Sequence, residues 1–251
     1  MVEPVETIVH NAATVLTMPD DVDRLVRLVR RRIAGAADPD RAPGMQAYMK
    51  STMPYRGVTS APLRMILKEA LAAHPLPDRA AWDAGVRALW DDAAYREERY
   101  AAMALASHRH YVAHQDPDAL GLYGHLVVTG AWWDYVDSLA SHNVGRILAS
   151  HRDVVTSRMR TWSEADDLWL RRTAILSQLH HKEETDLELL SQVIAANLEG
   201  SRFGGEFFVR KAIGWALRQH ARIDPAWVRA FVAEQDAGLS ALSRREALKH
   251  L

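Results

Sequence analysis

Apolar residues along this chain recur at three- and four-residue intervals, the period of a helix with one buried face. Residues 21–33 form the first strongly amphipathic segment. Residues 95–112 are rich in Ala and Arg with Met103 and Leu105 inside, and residues 133–149 repeat the pattern at Val136, Ala140, Val144, Ile147 and Leu148. Residues 164–180 and 205–222 continue it, whereas alternating β-branched runs bounded by hairpin turns are absent. The pattern predicts an all-α protein. After Pro77 only Pro117 and Pro225 remain, each where a helix is expected to begin. Joints near Pro75-Leu76-Pro77, Asp116-Pro117-Asp118, His151-Arg152-Asp153, Lys182-Glu183-Glu184 and Asp224-Pro225 recur at roughly 35–45 residues, a period that suggests HEAT-like helix pairs. Such pairs stack into a curved, superhelical solenoid whose concave face can follow an extended ligand.

Residues 1–20 stand apart, with three acids, no base and weak periodicity. They are expected to be an N-terminal extension, either frayed or the product of a misassigned start, preceding one continuous domain over residues 21–251. No apolar run approaches the length of a membrane span, and the N-terminus lacks the basic and apolar regions of a signal peptide, so a cytoplasmic protein is expected. The absence of cysteine excludes disulfides, thiolate metal sites and a cysteine nucleophile. A net charge of −1 argues against a uniformly basic nucleic-acid binder. The charge is uneven, however: residues 201–251 carry nine Lys/Arg against five Asp/Glu, and residues 21–50 carry seven against four. Two basic stretches can still converge on one face.

Candidate chemistry begins at Ala131-Trp132-Trp133-Asp134-Tyr135-Val136-Asp137-Ser138. A helix here stacks Trp133 and Asp137 on one face, one turn apart. Burial alone does not call for that pairing, since both the indole N–H and the carboxylate are costly to bury without partners. An indole beside a carboxylate is a place to hold a cation. A second segment, Phe207 to Arg218, sets Trp215 between Lys211 and Arg218 while Ile213, Ala216 and Leu217 turn the other way. The plain alternative is a packed Trp with solvated cations at its edges. In a third segment, Leu168, Ile175 and Leu176 form a core stripe and Arg171 and Arg172 point elsewhere, one of them expected to reach a phosphate. Arg244, Arg245 and Lys249 form a cationic cluster that a merely solvated face also explains.

His108-Arg109-His110 and His180-His181 lack metal-ligand spacing, so no metal is expected. Phosphate-cradling glycine motifs and a nucleophile elbow are missing as well. What remains is two tryptophans, one aspartate and several cations. A carboxylate between π faces suits a cationic transition state, and rupture of a glycosidic bond passes through an oxocarbenium ion.

At these residues the chain resembles the AlkD-type DNA glycosylases of the DNA alkylation repair family. The likeness runs from about Asp21 to Leu251. It includes Met45-Gln46-Ala47-Tyr48-Met49-Lys50, the Trp132–Ser138 motif, Trp169-Leu170-x-Arg172-x-Ala174-Ile175-Leu176, Lys211-Ala212-Ile213-Gly214-Trp215 and the Leu242–His250 ending. The resemblance implies a solenoid gripping duplex DNA in a concave basic groove. It implies Trp133 and Trp215 at the lesion's deoxyribose, Asp137 stabilising the oxocarbenium ion and positioning water, and Arg172 holding backbone near the lesion. Arg218 and Lys211 would be further DNA contacts, with Arg245 and Lys249 beside them, and Tyr48 a wall of the channel.

The expected activity is monofunctional hydrolysis of the N-glycosidic bond of cationic N3- and N7-alkylpurines in duplex DNA, without enclosure of the base. No cofactor is expected, and the acting species is expected to be a monomer. A specialist for bulky adducts, protecting a producer of a DNA-alkylating natural product, is a variant of this reading. The competing class is a non-catalytic helical-repeat scaffold that binds DNA or protein.

Overall fold

The computed structural model describes residues 20–251. Helix α1 (Asp20–Gly35) buries Val22, Leu25, Val26, Val29 and Ile33, the stripe that its three-four spacing predicts. It is followed by α2 (Ala42–Met49), α3 (Ser60–Ala73), α4 (Arg79–Asp91) and α5 (Arg96–Ala106). A 3-10 segment, Arg109–His114, leads through a second, Pro117–Ala119, into α6 (Leu120–Gly130). The chain then forms α7 (Trp133–Ser138), a π-helical stretch Leu139–Val144 and α8 (Gly145–Ser150) as one continuous rod. The remaining helices are α9 (Arg152–Ser163), α10 (Leu168–Leu176), α11 (Leu187–Ala195), α12 (Phe207–His220), α13 (Pro225–Glu234) and α14 (Ala241–Ala247). No strand occurs among the described residues.

The joints expected from the sequence all fall at helix breaks, and most are made by an aspartate. Asp78 accepts from the Ala81 N–H at the start of α4, Asp186 from Leu189 at α11, and Asp224 from Trp227 at α13, each at 2.8–3.0 Å. These carboxylates satisfy amides that a helix N-terminus leaves unpaired, and they complement its positive dipole end. Pro225 occupies the first turn of α13, where its missing N–H costs nothing. Pro117 opens a 3-10 turn rather than an α-helix, with Asp116 accepting from Asp118.

Helices pack mainly against near neighbours in sequence: α1 on α3 and α4, α4 on α5, α9 on α10 and α11, α10 on α12, and α12 on α14. This sequential stacking is the helical-repeat solenoid expected of the sequence. Buried apolar side chains from Val22 to Ala247 join in one contiguous core. The expectation for the N-terminal extension lies outside the described residues, apart from Asp20, which begins α1.

Candidate DNA-lesion site

Two of the three catalytic candidates, Trp133 and Asp137, lie on α7, and the third, Trp215, on α12. Ala131 closes α6 in the left-handed conformation, with φ 44°, and its N–H returns to the Val127 carbonyl. Trp132 is then extended, and α7 starts abruptly at Trp133. A buried ion pair pins this first turn. Asp134 accepts from the Arg96 guanidinium at 2.5 Å and from the Tyr100 hydroxyl at 2.7 Å, and Arg96 also lies 4.2 Å from the centre of the Tyr135 ring. Tyr55 extends the network to Tyr100 at 2.8 Å, and burial pushes the Tyr100 hydroxyl far above its ordinary pKa. Arg96 lies on α5, 38 residues from Asp134, so no local sequence signal discloses it.

One turn on, Asp137 projects into an open recess of about 350 Å³ with Trp133, Arg172, Phe207, Phe208, Lys211, Trp215 and Arg218. The two tryptophans and the aspartate singled out from the sequence thus line one cavity, although Asp137 and Trp215 lie 78 residues apart. Their backing is aromatic. Trp132, Trp169 and Phe208 cluster with ring centres 5.0–6.4 Å apart, and Phe207 stands at the mouth, 54% exposed.

The carboxylate does not lack a partner, as the sequence alone left it. Both Asp137 oxygens accept from Arg172, at 2.7 Å from Nε and 2.8 Å from Nη2. Arg172 also donates to the Phe208 carbonyl and is only 4% exposed. Arg171 is buried too, held by the carbonyls of Glu164, Ala165 and Ala196 and by Asn197. Neither arginine points to the surface as expected. A helix of this solenoid has neighbours on more than one side, and backbone carbonyls at helix ends supply the acceptors that let a guanidinium be buried. Burial raises the Asp137 carboxyl above its ordinary pKa, and the hydrogen bonds and charge of Arg172 oppose that shift only in part.

Lys211 and Arg218 flank Trp215 as predicted, but neither is a free cation. Glu246 of α14 accepts from Lys211 at 3.0 Å and from Arg218. Those two cations hold the Glu246 carboxyl below its ordinary pKa. The contact depends on Gly214, where an added Cβ would lie 2.5 Å from that of Glu246. Tyr48 is 75% exposed near the end of α2 and does not line the recess, and Arg245 and Lys249 are exposed without lining it. Phe207, Phe208 and Glu246 were within reach of the sequence, since they adjoin recognised motifs, but nothing local marks which face they occupy. Among the described residues no cluster of three or more His, Cys, Asp or Glu is placed to hold a metal ion.

A family model described as DNA alkylation repair enzyme matches residues 29–251. The chain belongs to the DNA alkylation repair enzyme family. A solved structure described as a predicted DNA alkylation repair enzyme from Enterococcus faecalis is similar at 30% identity and a TM-score of 0.75, over 86% of this chain and 96% of that one. No curated protein matches the chain. Membership of the DNA alkylation repair family assigns the chain to the repair of alkylated DNA. No described helix is long and apolar enough to cross a membrane.

Proposed function

We propose that this protein is a monofunctional DNA glycosylase, acting in the cytoplasm as a monomer without a cofactor. It hydrolyses the N-glycosidic bond of cationic N3- and N7-alkylpurines in duplex DNA, with the duplex in the concave groove. The observation that carries this reading is the shared recess of Trp133, Asp137 and Trp215. As the bond from C1′ to the base lengthens, the base departs with the electron pair and positive charge grows on the deoxyribose. The indole faces and the Asp137 carboxylate stabilise that charge, in a half-buried site where electrostatic attraction exceeds its value in water. Water then adds to C1′, and its proton is lost to leave an abasic site. Arg172 orients the carboxylate by holding both oxygens, and Asp137 positions the water.

The recess is open and small, which favours a mechanism that contacts sugar rather than enclosing the base. Selectivity then follows leaving-group ability, so a base already carrying positive charge departs and a neutral one does not. Lys211 lines the recess, but its nitrogen is bridged to Glu246, which supports hydrolysis over a Schiff-base lyase step. The remaining DNA contacts of this reading are Arg218, Lys211, Arg245, Lys249 and Tyr48.

Incubation with duplexes containing either N7-methylguanine or a neutral etheno-adenine tests both halves of the proposal. Release of the cationic base alone, leaving an intact abasic strand, is expected. Release of neither base from a bound duplex returns the chain to the scaffold class, and a borohydride-trapped adduct contradicts the hydrolytic mechanism.

A further inference from the structure

The Asp137–Arg172 bridge has a companion farther along the same seam. The α7–α8 rod and α10 are joined at Asp137 by Arg172, and again by His142 on the rod and His180 beyond α10, whose rings stack 4.9 Å apart and 17° from parallel. Both histidines are exposed, with Arg146 one turn beyond His142. Together with Ser141 and His181 they line a groove of about 380 Å³ that includes no carboxylate.

The π-helical stretch gives the groove its orientation. In an unbroken α-helix His142 would lie about 140° around the axis from Asp137. The i→i+5 turns over Leu139–Val144 underwind the rod and rotate His142 back toward the face of Asp137. The Ser141 hydroxyl donates to the Asp137 carbonyl at 2.7 Å, tying the two sites into one piece of backbone. Gly145 permits the close approach to α10, since a Cβ there would sit 2.4 Å from the Ser177 carbonyl oxygen. The axial distance from Trp133 to Arg146, thirteen residues along the rod, is about 20 Å.

The donor set selects the ligand. Nearly parallel rings do not converge their in-plane nitrogen lone pairs on one metal ion. Protonated imidazoles and a guanidinium do present N–H donors to an anion's oxygens. Around the pair, Arg146 lies on the rod, and burial, opposed by the Gly145 carbonyl and aided by Arg152 at the head of α9, holds His181 below its ordinary pKa. Burial and then the neighbouring His142 hold His180 below its ordinary pKa, so it gains its proton at a lower pH than a free imidazole does. Glu183, the nearest acid in sequence, lines a different recess.

We propose that His142, His180 and Arg146 form a second phosphate-binding site that grips the backbone of duplex DNA away from the lesion recess. This rests on the DNA-binding part of the reading above, and it adds a contact that strengthens as His180 gains a proton. Duplex binding at pH 5 and pH 8 across a salt series tests it, with base release measured alongside. Because His180 is held below its ordinary pKa, wild-type affinity is expected to be several-fold greater at pH 5. The double substitution His142→Gln with His180→Gln should abolish most of that difference and lower the slope of log affinity against log salt by about one. His180→Lys should restore affinity at pH 8, which separates loss of a contact from loss of the fold. Excision at saturating DNA should be unchanged in all variants.

Wild-type affinity that is equal at the two pH values, or an unaltered slope and pH response in the double variant, overturns the second site. If the variants behave as expected and no base is released by any protein, the phosphate site stands and the glycosylase reading falls. Failure of the wild type to bind duplex contradicts both.

Discussion

At the residue scale, the site places a carboxylate where it is costly and then holds it with one arginine. Asp137 is raised by burial, so as an acid it gains a proton at a higher pH than an exposed aspartate does. In the proposed mechanism, activity needs the ionised form. It is therefore present above the Asp137 pKa and lost as pH falls through it, and the acid limb of a single-turnover pH profile is expected above the ordinary aspartate range. Arg172→Met removes the opposing hydrogen bonds and charge, which should move that limb to still higher pH and destabilise the fold by about 3–5 kcal/mol, because it leaves an uncompensated buried charge. Thermal denaturation and the rate profile of the same variant check both effects. The ion pair behind α7 is more buried, with Arg96 and Asp134 side chains 6% and 9% exposed. Arg96→Met should cost a similar amount in stability and lower kcat as well, since the first turn of α7 carries Trp133.

At the element scale, Gly145 against the Ser177 carbonyl and Gly214 against Glu246 set how closely the helices bearing the site can approach their supports. Gly214→Ala would drive a Cβ into Glu246 and Ser243, pushing α12 from α14. A loss of about 1–3 kcal/mol in stability is expected, as for other overpacked contacts, with weaker DNA binding as the Lys211 and Arg218 bridges to Glu246 are disturbed. Calorimetry and a binding titration measure these. Much of this level was legible in the sequence. The three-four periodicity located α1, α5, the α7–α8 rod, α10 and α12, and Asp-Pro and Asp-rich joints marked helix ends, because helix propagation and capping are local. Segment 95–112 was read as one element and is instead α5 followed by a 3-10 segment, and segment 133–149 contains a π stretch. Periodicity over a few turns does not distinguish these hydrogen-bonding patterns. Trp133, Asp137 and Trp215 were legible as candidates from their spacing, and their convergence was suggested by family resemblance. The partners of the charges were not legible, since Arg172 with Asp137, Arg96 with Asp134 and Glu246 with Lys211 are separated by 28 residues or more.

At the scale of the whole molecule, a chain of net charge −1 is proposed to bind a polyanion, which requires its cations to be sorted onto one surface. Internal ion pairs with Glu246 hold Lys211 and Arg218 at the recess, and in the proposed complex phosphate competes for them. If about six phosphates are contacted, affinity should fall by about a thousandfold between 50 and 200 mM salt. A fluorescence anisotropy titration reads this directly, and a flat response would point to a protein partner instead. The central claim, that Asp137 stabilises the cationic sugar, is tested most directly by single-turnover release of N7-methylguanine from a duplex by wild type and Asp137→Asn at equal, saturating occupancy. The account predicts release by the wild type and a loss on the order of 10²–10³ in rate for the variant, with affinity for undamaged duplex kept or improved. Equal rates in the two proteins would contradict it.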